Sequence, residues 1–164
     1  MMSVPIIGTL TNMAKATPDT VDNPLSLEEQ VCFALAVASR SVIALYRPVL
    51  EPMGLTHPQY LVMLALWEHE PLSVRDLSHL LQLDPGTLSP LLKRLEASGY
   101  VRRERNPHDE RALAVELTRE GRALRRKALK VPPAIVERLG MDLADLRQIH
   151  GHLSRVIAAA TRPV

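Results

Sequence analysis

The stretch of residues 72–118 restricts the possible folds more than any other part of the chain. Ser73 can cap a short helix, and leucines recur at helical spacing in the residues after it. Asp84 followed by Pro85 predicts the start of a second helix with the same leucine spacing, which Gly99 ends. Beyond Gly99, apolar residues alternate with polar ones around a charged tip, which predicts a β-hairpin. Two short helices followed by a basic hairpin predict a winged helix-turn-helix.

The polar side chains of this stretch indicate how it would bind DNA. The second helix would enter a major groove and present the polar residues that remain when its leucines face the core. The arginines of the hairpin tip would reach the flanking minor groove, although the tip alone also fits a solvated charged turn. Pro90 predicts an irregular first turn in the second helix, because it lacks a backbone N–H. The predicted DNA-contacting residues are Thr87, Ser89, Lys93, Arg94, Arg103, Arg105, Asp109 and Arg111.

The composition excludes several classes of protein. With 164 residues, of which 3% are aromatic, the chain is most simply mainly α-helical with a small β-hairpin. Its formal net charge is only +2, so nucleic-acid binding requires local clusters of basic residues. The single cysteine, Cys32, excludes an intrachain disulfide and a cysteine-rich zinc site, and it suits a reducing cytosol. We find no apolar run long enough to span a bilayer, and the sequence predicts a cytoplasmic protein without a membrane partner. It also predicts no cofactor and no metal.

Long helical segments flank the predicted winged helix-turn-helix. Residues 1–24 are predicted to be a tail, and residues 25–164 a single domain with its DNA-binding part at about 56–118. The flanking helices, at about 26–47 and 119–161, carry apolar faces that suit dimerisation. A two-fold dimer would hold its recognition helices about 34 Å apart and prefer an inverted repeat in double-stranded DNA. Ordinary packing within one chain is the alternative.

Capping signals set the expected ends of the helices. Ser26 and Glu29 form a capping box for the first helix, which Pro48 would stop, and Thr56 with Gln59 caps the next. The helix after Thr56 would turn Tyr60, Leu61, Leu64 and Trp67 toward the core. After the hairpin, a helix capped by Thr118 would be interrupted at Val131-Pro132-Pro133, and the last helix would start near Asp142.

Short motifs along the chain carry a resemblance to a known family. After residue 25, the order of helix, capped helix, helix-turn-helix, wing and long terminal helix resembles the MarR family of transcriptional regulators. Individual motifs are similar to the organic hydroperoxide resistance regulators within it. These are Cys32-Phe33-Ala34-Leu35, Ala38-Ser39-Arg40, Tyr46-Arg47-Pro48, Leu55-Thr56-His57-Pro58-Gln59-Tyr60, Leu66-Trp67-Glu68, Asp84-Pro85-Gly86-Thr87-Leu88-Ser89-Pro90-Leu91-Leu92-Lys93-Arg94 and Asp109-Glu110-Arg111. The resemblance implies a DNA-binding repressor and not an enzyme.

The resemblance also implies a redox role for Cys32. In these repressors a cysteine near the start of the first helix senses peroxide and a tyrosine contacts its thiol, and Cys32 and Tyr46 match those positions. His57 stands where the family often has tyrosine, so it is either a donor to the sulfur or a solvated residue at a helix start. Ala36 stands where the family often has another tyrosine. Cys32 would lie about six residues inside its helix, where the helix dipole helps little.

The spacing of Cys32 and Tyr46 constrains the mechanism. Fourteen residues of continuous helix separate them, which is about 21 Å, so a contact must join two subunits of a homodimer. An organic hydroperoxide would oxidise Cys32 to sulfenic acid. Because the chain has no second cysteine, a mixed disulfide with a low-molecular-weight thiol or overoxidation would follow, and the operator would be released.

Other functions remain open at this point. A MarR-type repressor could be released by a small aromatic ligand, with Cys32 not the switch. A thiol peroxidase would use Cys32 for turnover, although no activating arginine or threonine stands beside it in a recognisable motif. A zinc sensor would use His150, His152 and Cys32, but two residues that are two apart on a helix diverge by about 200°.

Overall fold

The fold is given by a computed structural model, which describes residues 23–106 and 109–162; the side chains of residues 105–113 lie outside the description. It is mainly helical with a small antiparallel sheet, as the sequence predicts. The helices are α1 (Val31–Leu50), α2 (His57–His69), α3 (Val74–Leu81), α4 (Pro85–Ala97), α5 (Arg119–Ala128), α6 (Val131–Leu139) and α7 (Leu143–Ala160), with a 3-10 turn at Glu51–Met53. The strands are β1 (Leu72–Ser73), β2 (Val101–Asn106) and β3 (Asp109–Leu117).

The contacts divide the chain into two units, Met1–Ala38 and Ser39–Val164. The boundary between the units falls within α1. The second unit holds the helix-turn-helix, the sheet and every buried residue of the described part of the chain. The predicted limits of the tail and the domain, at 24 and 25, stay a prediction.

The sheet has the strand order β1-β3-β2, and both pairs are antiparallel. In the hairpin of β2 and β3, Val101 lies opposite Leu117, and in the other pair Leu72 lies opposite Val115. Val101, Val115 and Leu117 are buried, as the pattern predicts, but Ala114 is buried as well, so the alternation is not strict, and the side chain of the predicted Leu113 lies outside the described residues. The sequence did not predict β1, because a strand of two residues has no visible period.

The helix-turn-helix forms as predicted. Ser73 caps α3 by accepting from the backbone N–H of Asp76 at 3.1 Å, and Asp84 caps α4 by accepting from that of Thr87 at 2.9 Å. The leucines of α4 predicted to form the buried stripe are all buried: Leu88, Leu91, Leu92 and Leu95. Pro90 lies within α4, which is nevertheless continuous from Pro85, so the predicted irregular first turn does not occur.

Helix α1 differs from its predicted bounds at both ends. It begins at Val31, so the predicted capping box of Ser26 and Glu29 is wrong; these residues form a turn in which the N–H of Glu29 donates to the carbonyl of Ser26 at 3.3 Å. Pro48 does not end α1, which continues to the fully buried Leu50. A proline removes a single helical hydrogen bond, and the burial of Leu50 favours continuation of the helix.

Helix α2 confirms its predicted start but not its predicted buried face. The side-chain oxygen of Gln59 accepts from the backbone N–H of Thr56 at 2.8 Å, as the capping box requires. Tyr60 is buried and Trp67 packs against the core, as predicted. Leu61 and Leu64 are exposed, and the face turned to the core is formed instead by Tyr60, Val62, Met63 and Leu66. The helix is apolar on nearly every side, so spacing alone did not identify the buried face.

The C-terminal part contains one helix, α6, that the sequence analysis did not predict. Thr118 caps α5 as predicted, by accepting from the N–H of Gly121 at 3.0 Å. Pro132 and Pro133 lie in the first turn of α6, where proline is tolerated because its missing N–H has no helical partner. Asp142 caps α7, as expected, and none of the residues of α7 is buried.

The segment Val31–Met53 is long and apolar enough to cross a membrane by length and composition alone. The prediction that no such run exists is therefore wrong. Only 6% of this segment's most apolar part is buried, and Arg40 and Arg47 interrupt it.

Candidate DNA-binding surface and sensing residues

The polar residues of α4 surround its buried leucines and face solvent. Thr87, Ser89, Lys93 and Arg94 are all exposed. The Thr87 hydroxyl donates to the Asp84 carboxylate at 2.6 Å, and this hydrogen bond lowers the pKa of Asp84. The Ser89 hydroxyl donates to the carbonyl of Pro85 at 2.8 Å. Both hydroxyl oxygens keep a lone pair for a further donor, and the two cations stay available to a phosphate.

Arg103 lies where the wing meets α4. Its guanidinium donates to the Glu96 carboxylate, with Nε at 3.0 Å from Oε2, and this bond lowers the pKa of Glu96 and raises that of Arg103. The pair therefore joins β2 to α4, and the side chain predicted to contact DNA is engaged within the protein. The backbones of Arg105, Asp109 and Arg111 lie in β2 and β3, but their side chains are outside the described part of the chain.

A carboxylate that the sequence did not single out anchors the inner end of the wing. Glu70, the residue after α2, accepts from the Arg122 guanidinium at 2.8 and 2.9 Å and from the backbone N–H of Leu117 at 3.1 Å. It thus joins α2 to the last residue of β3 and to α5. Glu70 and Arg122 are 52 residues apart, so no local pattern reveals their contact.

Two more hydrogen bonds hold α2 and the turn before it, one to α5 and one to the residue before β2. Trp67 Nε1 donates to the carbonyl of Gly121 at 2.9 Å. The Tyr100 hydroxyl, next to β2, donates to the carbonyl of Met53 at 3.0 Å. Met53 belongs to the turn between α1 and α2, so this turn is attached to the base of the wing, while Trp67 attaches α2 to α5.

Tyr46 and His57, two of the predicted sensing residues, lie in contact. Their ring centroids are 4.8 Å apart with an interplanar angle of 68°, an edge-to-face arrangement. Tyr60 extends the cluster, with its ring centroid 6.1 Å from that of Tyr46. Burial raises the pKa of Tyr46 and lowers the pKa of His57. Near pH 7 both side chains are therefore neutral hydrogen-bond donors, and a protonated His57 is disfavoured.

A cleft of about 640 Å³ opens beside His57. One wall is a stripe of α1 that ends in the following turn, and the other wall is the start of α2. The lining residues are Arg40, Ile43, Ala44, Arg47, Glu51, Gly54, Leu55, Thr56, His57 and Pro58.

Cys32 is exposed and is the second residue of α1. The prediction that it lies six residues inside the helix is wrong, because α1 begins at Val31. The first turn of a helix carries the positive end of the helix dipole, which favours a negative group. In the described residues no cluster of three or more histidine, cysteine or acidic side chains is placed to hold a metal ion.

Comparisons with known proteins identify the family. The family description "Transcriptional regulator SarA/Rot" matches residues 44–127. A MarR-family regulator from Rhodococcus sp. RHA1 has a similar structure, with a TM-score of 0.71 and 26% identity, over 80% of this chain and 95% of that one. An organic hydroperoxide resistance transcriptional regulator of Bacillus subtilis is 41% identical over 129 residues, which are 79% of this chain and 88% of that protein. The chain belongs to the MarR family, among the organic hydroperoxide resistance regulators.

This MarR-family chain is also similar to the structure of reduced AbfR bound to DNA. The TM-score is 0.68 at 33% identity, over 83% of this chain and 95% of AbfR, a protein of Staphylococcus epidermidis. These relatives confirm the prediction that the chain is a transcriptional regulator with a winged helix-turn-helix, and not an enzyme.

Proposed function

We propose that this regulator represses transcription from an inverted-repeat operator as a cytoplasmic homodimer, and releases the DNA when an organic hydroperoxide oxidises Cys32. The observation that carries the proposal is the position of the chain's single cysteine, exposed in the first turn of α1, in a protein 41% identical to an organic hydroperoxide resistance regulator. The major groove is contacted by Thr87, Ser89, Lys93 and Arg94 of α4. The wing contributes Arg105, Asp109 and Arg111, while Arg103 holds the wing against α4.

The exposed apolar helices support the homodimer. Helix α7 buries none of its residues within the chain, and Leu143 is 56% exposed. In α1, Leu50 alone is buried, and Ile43 is 40% exposed. Exposed apolar helices of this length are unfavourable in water, so a second copy of the chain is the simplest partner for them.

The sensing site forms between the subunits. Helix α1 carries both Cys32 and Tyr46, and fourteen residues of continuous helix correspond to about 21 Å. The thiol of one subunit therefore meets the Tyr46–His57 pair of the other. The phenol O–H and the imidazole N–H donate hydrogen bonds to the thiolate, which is the reactive form of cysteine.

Oxidation of Cys32 changes this site. The thiolate attacks the terminal oxygen of the hydroperoxide, the O–O bond breaks, and the alcohol leaves after taking up a proton. The sulfur loses two electrons and becomes sulfenic acid. Tyr46 and His57 then face a sulfur that carries an additional oxygen atom. A mixed disulfide with a small thiol makes the group on this sulfur larger still. A coupling of about 3 kcal/mol between this site and the DNA-binding surface would weaken operator affinity about a hundredfold.

The test is a fluorescence-anisotropy titration on an inverted-repeat operator with and without cumene hydroperoxide. The wild type should bind when reduced and lose about a hundredfold in affinity when oxidised. Cys32→Ser should bind with similar affinity under both conditions, because the hydroxyl is not oxidised. If the peroxide releases Cys32→Ser as readily as the wild type, Cys32 is not the switch. Release of the untreated protein by salicylate at unchanged thiol content would favour control by an aromatic ligand instead.

A further inference from the structure

We propose that the cleft beside His57 binds the small thiol that completes the switch, and that Arg40 and Arg47 select a peptide thiol with a carboxylate at each end. This inference rests on the proposed oxidation of Cys32, and it assigns a binding site to the molecule that reacts with the oxidised sulfur. Because the chain has one cysteine, the oxidised Cys32 has no second cysteine of its own chain to react with, and a small thiol is the partner for a mixed disulfide.

The cleft has a volume suited to such a thiol. Its volume of about 640 Å³ lies within the usual range for small-molecule sites, about 300–1,000 Å³. Leu55 and Pro58 give it an apolar lining, and His57 connects it to Tyr46, because the ring of His57 also contacts that of Tyr46. A molecule held there lies beside the place where the proposed dimer puts the partner's sulfur.

The charges of the cleft indicate which thiol it binds. Arg40 and Arg47 both line it, and neither forms a salt bridge within the described residues. Seven residues of α1 separate them, so they share one face of the helix at a spacing of about 10 Å. An extended tripeptide has about the same length. Glu51, one turn after Arg47, lines the same wall and can accept from an ammonium group.

These features fit a linear tripeptide thiol with its cysteine in the middle. The first residue of this peptide is joined through its side-chain carboxyl group, so its α-carboxylate and its α-amino group are both free. The carboxylates at the two ends pair with Arg40 and Arg47, the amino group pairs with Glu51, and the central thiol faces His57. The thiolate of this peptide attacks the sulfur of the Cys32 sulfenic acid, the S–O bond breaks and the S–S bond forms. The hydroxyl leaves as water with the proton of the thiol. The peptide sulfur is oxidised and the sulfenic sulfur is reduced.

The test compares glutathione with its diethyl ester, which lacks both carboxylate charges. Full-length protein is oxidised with one equivalent of cumene hydroperoxide, and the rate of mixed-disulfide formation is followed by intact mass spectrometry at equal thiolate concentrations. The wild type should react about tenfold faster with glutathione than with the ester, because an exposed ion pair contributes up to about fivefold. The preference should shrink as the salt concentration rises.

Substitutions of the two arginines test whether the preference for glutathione over its ester arises in the cleft. Arg40→Gln and Arg47→Gln should each reduce the preference for glutathione several-fold, and the double variant should remove it. Arg138→Gln, on the exposed face of α6, is the matched control and should keep it. Reduced-state operator binding shows that each variant is folded, and the salt dependence of the wild type tests the site independently of any variant.

The possible results separate this inference from the proposed function. Equal rates for glutathione and its ester in the wild type, or an undiminished preference in the double variant, would overturn it. Faster oxidation by a fatty-acid hydroperoxide that depends on the two arginines, with unchanged thiol reactivity, would assign the cleft to the oxidant and also overturn it. Absence of any sulfenic acid, detected by dimedone trapping, would refute the proposed function itself.

Discussion

Gly121→Ala tests how closely the wing is attached to α5. A Cβ at this position would lie 2.0 Å from the carbonyl oxygen of Tyr100 and 3.0 Å from its carbonyl carbon. That oxygen is held in place, because it accepts from the backbone N–H of Thr118 at 3.0 Å. The alanine side chain therefore has to push two backbone segments apart. Overpacking of this kind costs about 2 kcal/mol, and losing the bond to Thr118 adds about 1 kcal/mol.

Alanine has a better helix propensity than glycine, which offsets up to about 1 kcal/mol of this destabilisation. Gly121→Ala should therefore lower the free energy of unfolding by about 2 kcal/mol. Urea unfolding at one fixed protein concentration measures this change, since the unfolding midpoint of the proposed dimer would depend on concentration. Gly151→Ala is the matched control, because apart from its chain neighbours and the backbone of its own helix nothing lies within 4 Å of the added Cβ, so the change should be neutral or slightly stabilising. An unfolding midpoint for Gly121→Ala at or above that of the wild type would refute the packing argument.

Two further predictions concern the contacts around α2. In a double-mutant cycle of Glu70→Gln and Arg122→Gln, the unfolding free energies should give a coupling of about 1 kcal/mol, because the pair is bidentate but partly exposed; a coupling near zero would mean that the pair adds no stability. Burial lowers the pKa of His57 in the folded protein. As the pH falls below about 6.5, His57 is therefore protonated in the unfolded chain before it is protonated in the folded one, and the free energy of unfolding decreases. Urea midpoints at pH 7.5 and 5.5 should therefore fall more for the wild type than for His57→Phe, and parallel losses would contradict the assigned cause.

Local signals predicted the helix-turn-helix because the decisive information lies close together in sequence. Asp84 caps α4 through a neighbour three residues away, and the leucines of α4 have a single buried face. The predictions were wrong where a helix has more than one apolar face or where more than one residue could cap its start. Leu61 and Leu64 of α2 are exposed because the helix is apolar nearly all round. α1 begins at Val31 although Ser26 offers a cap, since the intervening residues form turns.

The candidate site was only partly accessible to sequence reasoning. The resemblance to a family predicts sensing roles for Cys32, Tyr46 and His57, and the structure adds that the rings of Tyr46 and His57 are in contact. The ion pair of Glu70 with Arg122 joins residues 52 apart, so it depends on how α2 and α5 pack. No spacing rule predicts such a contact.

Hydrogen bonds at both ends of α2 indicate how a displacement of His57 would alter the DNA-binding surface. Helix α2 starts at His57 and, just after its last turn, is fixed to the wing by Glu70. The turn before α2 is fixed to the wing as well, because the Tyr100 hydroxyl bonds the carbonyl of Met53. In the proposed switch, a displacement of His57 by the modified sulfur would therefore move α2 together with the base of the wing. Since β2 is also held to α4 through Arg103, we expect the wing and the recognition helix to shift as one body.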